Sequence, residues 1–171
     1  MSDIKEEWFP VVDEAGNVVD KATRRECHSG SMLLHPVVHL HVFDTQGRLY
    51  LQRRSMNKEI QPGKWDTAVG GHVDYGESID EALHREVREE LGITLFEPIH
   101  NFTYHFQSRI ERELVYSYRT VYEGPIKVDP VEIDEGKYWA IEDILSNIGQ
   151  GVFTPNFEDE FAKLLPLLRR D

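Results

Sequence analysis

Residues 69–93 read VGGHVDYGESIDEALHREVREELGI. Two glycines open the stretch, and three glutamates, Glu86, Glu89 and Glu90, crowd beside two arginines near its end. Ser78-Ile79-Asp80-Glu81 has the form of a capping box, so a helix is predicted to begin here. Gly92 suits the left-handed position just past its C-terminus. At about 100° per residue, Leu83, Val87 and Leu91 fall roughly 40°, 80° and 120° from Ile79, which makes one apolar face. On the same wheel Glu90 falls near about 20°, Glu86 near about 340° and Glu89 near about 280°. The acids therefore lie within and beside the rim of the buried face. Each like-charge pair one turn apart costs roughly 0.2–0.5 kcal/mol on an exposed helix, and partial burial raises that cost.

Arg85 can pair with Glu81 and Glu89, but one guanidinium does not offset three clustered carboxylates. A divalent cation does. Mg²⁺ and Mn²⁺ favour oxygen ligands and bridge carboxylates to substrate phosphates. Gly70 and Gly71 let the backbone approach closely and offer amide or carbonyl groups to a ligand or metal. The plainer alternative is a solvated acidic helix.

The surrounding chain has 171 residues, which suits one domain, 1–171, with a core of ordinary size. Hydrophobic residues make up 40% and charged residues 29%, as in soluble globular proteins. Its apolar runs are too short for a membrane span, and MSDIKEEWFP lacks the regions of a signal peptide. Cys27 is the single cysteine and has no internal disulfide partner, which agrees with a cytoplasmic address. The net charge of −12 disfavours nucleic acid and anionic membranes as partners. An anionic substrate is still accessible where a local site is basic or carries metal.

Residues 8–20 read as two short strands around a turn at 13–16, followed by a connecting loop over 21–35. Residues 37–43 and 49–53 read as a hairpin, 56–64 as a polar loop with a Pro62-Gly63 turn, and 65–69 as a short strand. The aromatic and β-branched segments 99–106 and 114–122 form a strand pair. A short strand at 137–140 and a short helix at 141–148 follow. Thr154-Pro155 starts a last helix, as N-cap and N1, which runs to about residue 165, where Pro166 kinks or ends it. This pattern predicts a mixed sheet covered by helices.

Gly71, Glu77, Arg85, Glu86, Val87, Glu89, Glu90, Gly92 and Ile93 stand at the spacing of the Nudix box, and the chain resembles that superfamily. The resemblance implies an α/β/α sandwich with a mixed sheet, with 1–30 as an N-terminal β-hairpin extension and 70–93 as the box. It implies hydrolysis of a small-molecule diphosphate by water activated on Mg²⁺ or Mn²⁺. Glu86, Glu89 and Glu90 then look like the metal ligands, and Arg85 and Glu77 like the residues that orient them. The base that takes the water's proton varies across the family. Glu89, Glu86, Glu132 and Glu135 are the candidates here, with Glu135 preferred on the later loop.

Residues from about 24 to 165 are also similar to the branch that includes type I isopentenyl-diphosphate isomerase. RRSMNKEIQPGKWDTAVGGHVDYGES carries that likeness. Through it, His28, His35, His72, Glu111 and Glu113 correspond to a second metal site, suited to Zn²⁺ or Mn²⁺. Arg54 and Lys58 correspond to diphosphate contacts. Two departures stand out: Gly70 replaces a cysteine that the isomerase uses in acid/base chemistry, and Glu86 replaces a basic residue. Both point towards water attack, with isomerisation as the alternative and a non-catalytic binding module as a third reading. Trp65, Tyr75, Tyr104 and Phe106 are the aromatics available for selectivity. Nudix relatives include monomers and dimers, so the N-terminal strands either extend the sheet or pair with a second subunit in a homodimer.

Overall fold

The computed structural model describes residues 6–169; the first residues of the 1–30 extension, 1–5, and residues 170–171 lie outside the described residues. Strands β1 (Trp8–Val12) and β2 (Val18–Thr23) form an antiparallel hairpin. The Asp13 side chain closes its turn by accepting the backbone N–H of Ala15 at 3.0 Å and of Asn17 at 2.9 Å. The hairpin makes its own two-stranded sheet and does not extend the main one.

The connecting loop expected over 21–35 holds more structure than that. β2 continues to Thr23, one helical turn, α1, covers Arg24–Cys27, and β3 starts at Leu34. The cause is a second capping box, with Thr23 and Glu26 exchanging bonds. No apolar period follows a four-residue helix, so the pattern alone does not reveal it.

Strand β3 (Leu34–Phe43) is the centre of a seven-stranded mixed sheet. It runs parallel to β8 (Arg112–Val121), from Leu34↔Arg112 to Phe43↔Val121. β8 pairs in turn with β7 (Ile99–Gln107). On its other side β3 meets β4 (Leu49–Arg54) only at Phe43↔Leu49. The two strands then part. The short strand expected at 65–69 breaks at Ala68 and serves both: β5 (Trp65–Thr67) pairs with β4, and β6 (Val69–His72) pairs with β3. β9 (Ile133–Trp139) lines the far side of β4.

Helices cover both faces, giving the expected α/β/α sandwich. Helix α2 (Ile79–Leu91) begins at the Ser78–Glu81 capping box and ends at Gly92, whose φ is 69°. It buries Ala82, Leu83, Val87 and Leu91 against Val38, Leu40 and Val42. Helices α3 (Ile141–Asn147) and α4 (Pro155–Leu168) close the opposite face through Ile144, Phe157, Phe161 and Leu164. Pro166 does not end α4, which continues to Leu168 because Leu165, Leu167 and Leu168 pack on that same cluster. Among the described residues no helix is long and apolar enough to cross a membrane.

Candidate active site

Helix α2 sets its acids against the glycines of β6. A Cβ on Gly71 would stand 2.2 Å from Cδ of Glu86 and 2.3 Å from its Oε2. Glycine is required there for space, because the Glu86 carboxyl occupies the place of a side chain.

Arg85 organises the rest. Its Nε donates to Glu77 Oε2 at 2.7 Å and its Nη2 to Glu77 Oε1 at 2.9 Å, a bidentate pair. Nη2 also donates to the His72 carbonyl at 3.0 Å. Nη1 donates to Glu86 Oε1 at 2.8 Å and to Glu89 Oε2 at 3.3 Å. Glu77 is itself fixed by the Asp74 N–H at 2.8 Å. The expected pair with Glu81 does not form, because the Glu81 carboxyl caps the helix at the Ser78 N–H. The fork of Arg85 holds Glu77 below the usual carboxylate range.

Glu86 and Glu90 are pushed the other way. Burial raises Glu86 and outweighs the Arg85 contacts that lower it. Burial, then the nearby Glu86 charge, pushes Glu90 up to about 8, although the Gly70 N–H donates to its Oε2 at 3.2 Å. Glu86, Glu89 and Glu90 do not form a group whose ligand atoms all lie within 4.8 Å, since Arg85 holds two of them and Gly70 the third. Their all-oxygen donor set, with the raised proton affinity of Glu86 and Glu90, fits a hard divalent cation.

A cleft of about 450 Å³ opens where β3 and β4 part. Glu89, Glu90 and Gly70 form part of its wall, and Arg54 and Lys58 another part. Arg54 lies 3.8 Å from Asp66, and Lys58 pairs with Glu132. Glu132 therefore lines the cleft. Glu135 does not: it is exposed on β9 opposite Arg53, in a strand where a loop was expected. Of the aromatics, Trp65 is buried in the core under α4, and Tyr104 is bonded to Glu160. Tyr75 is exposed beside Lys21.

His39, which the sequence reading did not single out, also lines the cleft, with its Nδ1 2.6 Å from Glu160 Oε1. The available signal was the alternation of His39 and His41 with Val38, Leu40 and Val42 along one strand.

The second expected cluster assembles near the end of β6. His28 Nε2 lies 3.2 Å from His72 Nε2 and 2.9 Å from Glu111 Oε2. Glu113 Oε2 is 4.0 Å from His35 Nε2 and 3.9 Å from His72 Nε2. Two triads, His28–His35–His72 and His35–Glu111–Glu113, each bring their ligand atoms within 4.8 Å. Phe9 of the N-terminal hairpin stacks on His72, with centroids 4.6 Å apart. His35 Nδ1 is bonded to the Leu33 carbonyl at 3.0 Å, and its buried Nε2 has no partner. Burial drives His72 down to about 3 and lowers His35, while burial and then Glu111 raise Glu113 to about 7. Neutral imidazoles beside carboxylates, one with an orphaned nitrogen, fit Zn²⁺ or Mn²⁺.

Known proteins are similar to this chain in sequence and fold. The sequence pattern of the NUDIX domain matches residues 33–157. A Yersinia pestis protein, named an uncharacterized Nudix hydrolase, is 31% identical over 172 residues, spanning 94% of this chain and 93% of its own. An isopentenyl-diphosphate Delta-isomerase of Brevibacterium linens is 30% identical over 172 residues, spanning 95% of this chain and 93% of its own. A crystal structure from Deinococcus radiodurans superposes with a TM-score of 0.77 at 25% identity, over 92% of this chain and 99% of that one. The MutT protein of Methanosarcina mazei gives 0.67 at 26% identity, over 80% and 96%. The chain therefore belongs to the Nudix family, as a pyrophosphohydrolase of the branch it shares with the isopentenyl-diphosphate isomerases.

Proposed function

We infer that this enzyme is a divalent-metal-dependent hydrolase that cleaves a diphosphate bond linking a small molecule to a further group. The observation that carries this reading is the Arg85 clamp, which ties Glu77 and Glu86 to Glu89, and Glu89 lines a polar cleft together with Glu90. Glu86, Glu89 and Glu90 would hold Mg²⁺ or Mn²⁺. The metal, when bound, neutralises the diphosphate and lowers the pKa of water. Arg54 and Lys58 bind the diphosphate oxygens, and the backbone at Gly70 and Gly71 keeps that wall free of side chains. Glu89 and Glu132 line the cleft and are the favoured carboxylates to take the water's proton, ahead of Glu86, which lies behind the lining, and Glu135, which is exposed on β9. Lone, buried Cys27 supports a reducing, cytoplasmic address.

The test is ³¹P NMR of products from nucleoside triphosphates, ADP-ribose, NADH, coenzyme A, sugar nucleotides and isopentenyl diphosphate, each with Mg²⁺ or Mn²⁺. Cleavage that vanishes in Glu89→Gln and Glu90→Gln, with folding intact, supports the reading. Unchanged turnover in both variants refutes the metal assignment.

A second reading, isomerisation of isopentenyl diphosphate, is favoured by the His28, His35, His72, Glu111 and Glu113 cluster, a further metal site in this proposal. Gly70 speaks against it, because it offers no proton. Dimethylallyl diphosphate as the product in the same assay would establish it.

A further inference from the structure

His39 has one imidazole nitrogen committed and the other free. Its Nδ1 faces Oε1 of Glu160, which α4 brings down onto the sheet. Glu160 is only 1% exposed. It also accepts from Tyr104 Oη at 2.5 Å, from Ser117 Oγ at 2.9 Å and from His41 Nε2. Burial pushes this carboxyl up, but His39 and His41 outweigh it and hold Glu160 well below the carboxylate range. Four donors around a buried carboxylate make a fixed anion.

The counter-charge belongs on His39. His41 has its second nitrogen, Nδ1, buried without a partner, so a proton placed there would meet no acceptor. The His39 side chain is 22% exposed and opens on the cleft. Burial opposes its charged form, but Glu160 wins and holds His39 up at about 9. Its Nε2 makes no hydrogen bond among the described residues. It lies beside Gly70, where an added Cβ would stand 3.6 Å from it. A carboxylate anchors one nitrogen of the ring and the other is presented to a ligand.

We propose that His39, positioned by Glu160, is a catalytic proton donor whose Nε2–H protonates the oxygen leaving phosphorus. This deepens the hydrolase reading and rests on it. Water oxygen bonds to phosphorus and the bridging P–O bond breaks. The electron pair of that bond stays on the departing oxygen, which takes the Nε2 proton. The water's proton goes to a carboxylate of the cleft, and solvent reprotonates His39. The acids of α2 suit one half of this exchange and His39 the other, because an anion accepts a proton and an imidazolium gives one. Arg54 does not give up a proton at neutral pH, and Lys58 is paired with Glu132. The substrate class is a diphosphate whose departing oxygen is basic enough to need that proton, such as a phosphate ester.

The experiment uses His39→Gln and Glu160→Gln on the best substrate of the ³¹P panel. ¹⁵N-histidine NMR of the wild type titrated with inorganic diphosphate accompanies it. His39→Gln is expected to lower kcat by about 100-fold or more, with KM changed far less. Glu160→Gln is expected to lower kcat and to move the His39 nitrogens from the imidazolium to the neutral pattern. Diphosphate is expected to shift the His39 Nε2 resonance. Turnover by His39→Gln within about twofold of wild type overturns the proposal, and so does an Nε2 resonance that diphosphate leaves unmoved. The NMR arm decides on the wild type should a variant fail to fold. No hydrolysis of any substrate by the wild type overturns the hydrolase reading and the donor role together. Hydrolysis that His39→Gln leaves within about twofold of the wild-type rate overturns the donor role alone.

Discussion

Replacing Gly71 with alanine adds one methyl group at the most crowded point of the site. That carbon would stand 2.2 Å from Glu86 Cδ. Non-bonded carbons rest about 3.5–4.0 Å apart, so the carboxyl has to withdraw by about 1.3 Å or more. The obstructing group is the end of a flexible side chain, and an off-rotamer side chain costs about 0.5–1.5 kcal/mol. The fold is therefore expected to survive with a Tm lower by a few degrees at most. The site is not expected to survive. Mg²⁺ demands oxygens at about 2.0–2.1 Å in near-octahedral array, and a misplacement of about 1 Å costs on the order of 100-fold in rate. The assay is Mn²⁺ binding by calorimetry, with turnover and thermal unfolding on the same preparation. Gly70→Ala is the control: its Cβ meets His39 Cδ2 at 3.4 Å, and it keeps the N–H that serves Glu90, so Mn²⁺ binding should persist. Wild-type metal binding and turnover in Gly71→Ala would refute the idea that Glu86 works from its seat against this glycine.

Three further outcomes follow from the same geometry. Glu90, raised to about 8, is largely protonated at neutral pH, and a metal binds the anion. Mn²⁺ affinity should therefore rise with pH up to about 8, and calorimetry in buffers of differing ionisation enthalpy should detect proton release that Glu90→Gln diminishes. Arg85→Lys keeps the charge and loses the fork onto Glu77, so metal affinity should fall by about 10–100-fold while the circular dichroism spectrum stays unchanged. Protein purified without chelator should carry Zn or Mn at the His/Glu cluster, and a His28→Ala/His72→Ala double variant should lose it; equal metal content in the two would discard the second site.

What could be read from the sequence was local. Helix α2 announces itself through a serine, a glutamate three positions on, an apolar period and a terminal glycine, all within one stretch, and the structure follows that reading residue for residue. The box acids are legible for the same reason. Contacts made by the sheet are not. His39 and Glu160 are 121 positions apart, and nothing in either neighbourhood names the other. Glu132 lines the cleft and the preferred Glu135 does not, because of an element boundary. The segment pairs with β4 from Ile133 onward, with a register irregularity at Arg53/Arg54, which carries Glu135 to the outside. The His/Glu cluster was reached through resemblance to a family. Its geometry depends on β6 and β8 flanking β3, which no local pattern specifies.

Strand β3 carries His35, His39 and His41 on one face and Val38, Leu40 and Val42 on the other. Pairing on both sides locks it in register, and a shift of one residue would exchange the two faces. A single inserted codon near its start would thus present valine and leucine to Glu160 and three imidazoles to α2. It would disable the cleft wall, the His/Glu cluster and the apolar core at once. A change of identity in this strand alters one position, whereas a change of length alters all of those that follow. Natural length variation among relatives should collect instead in connections such as 94–98, where an added residue lengthens a loop and leaves both faces as they were.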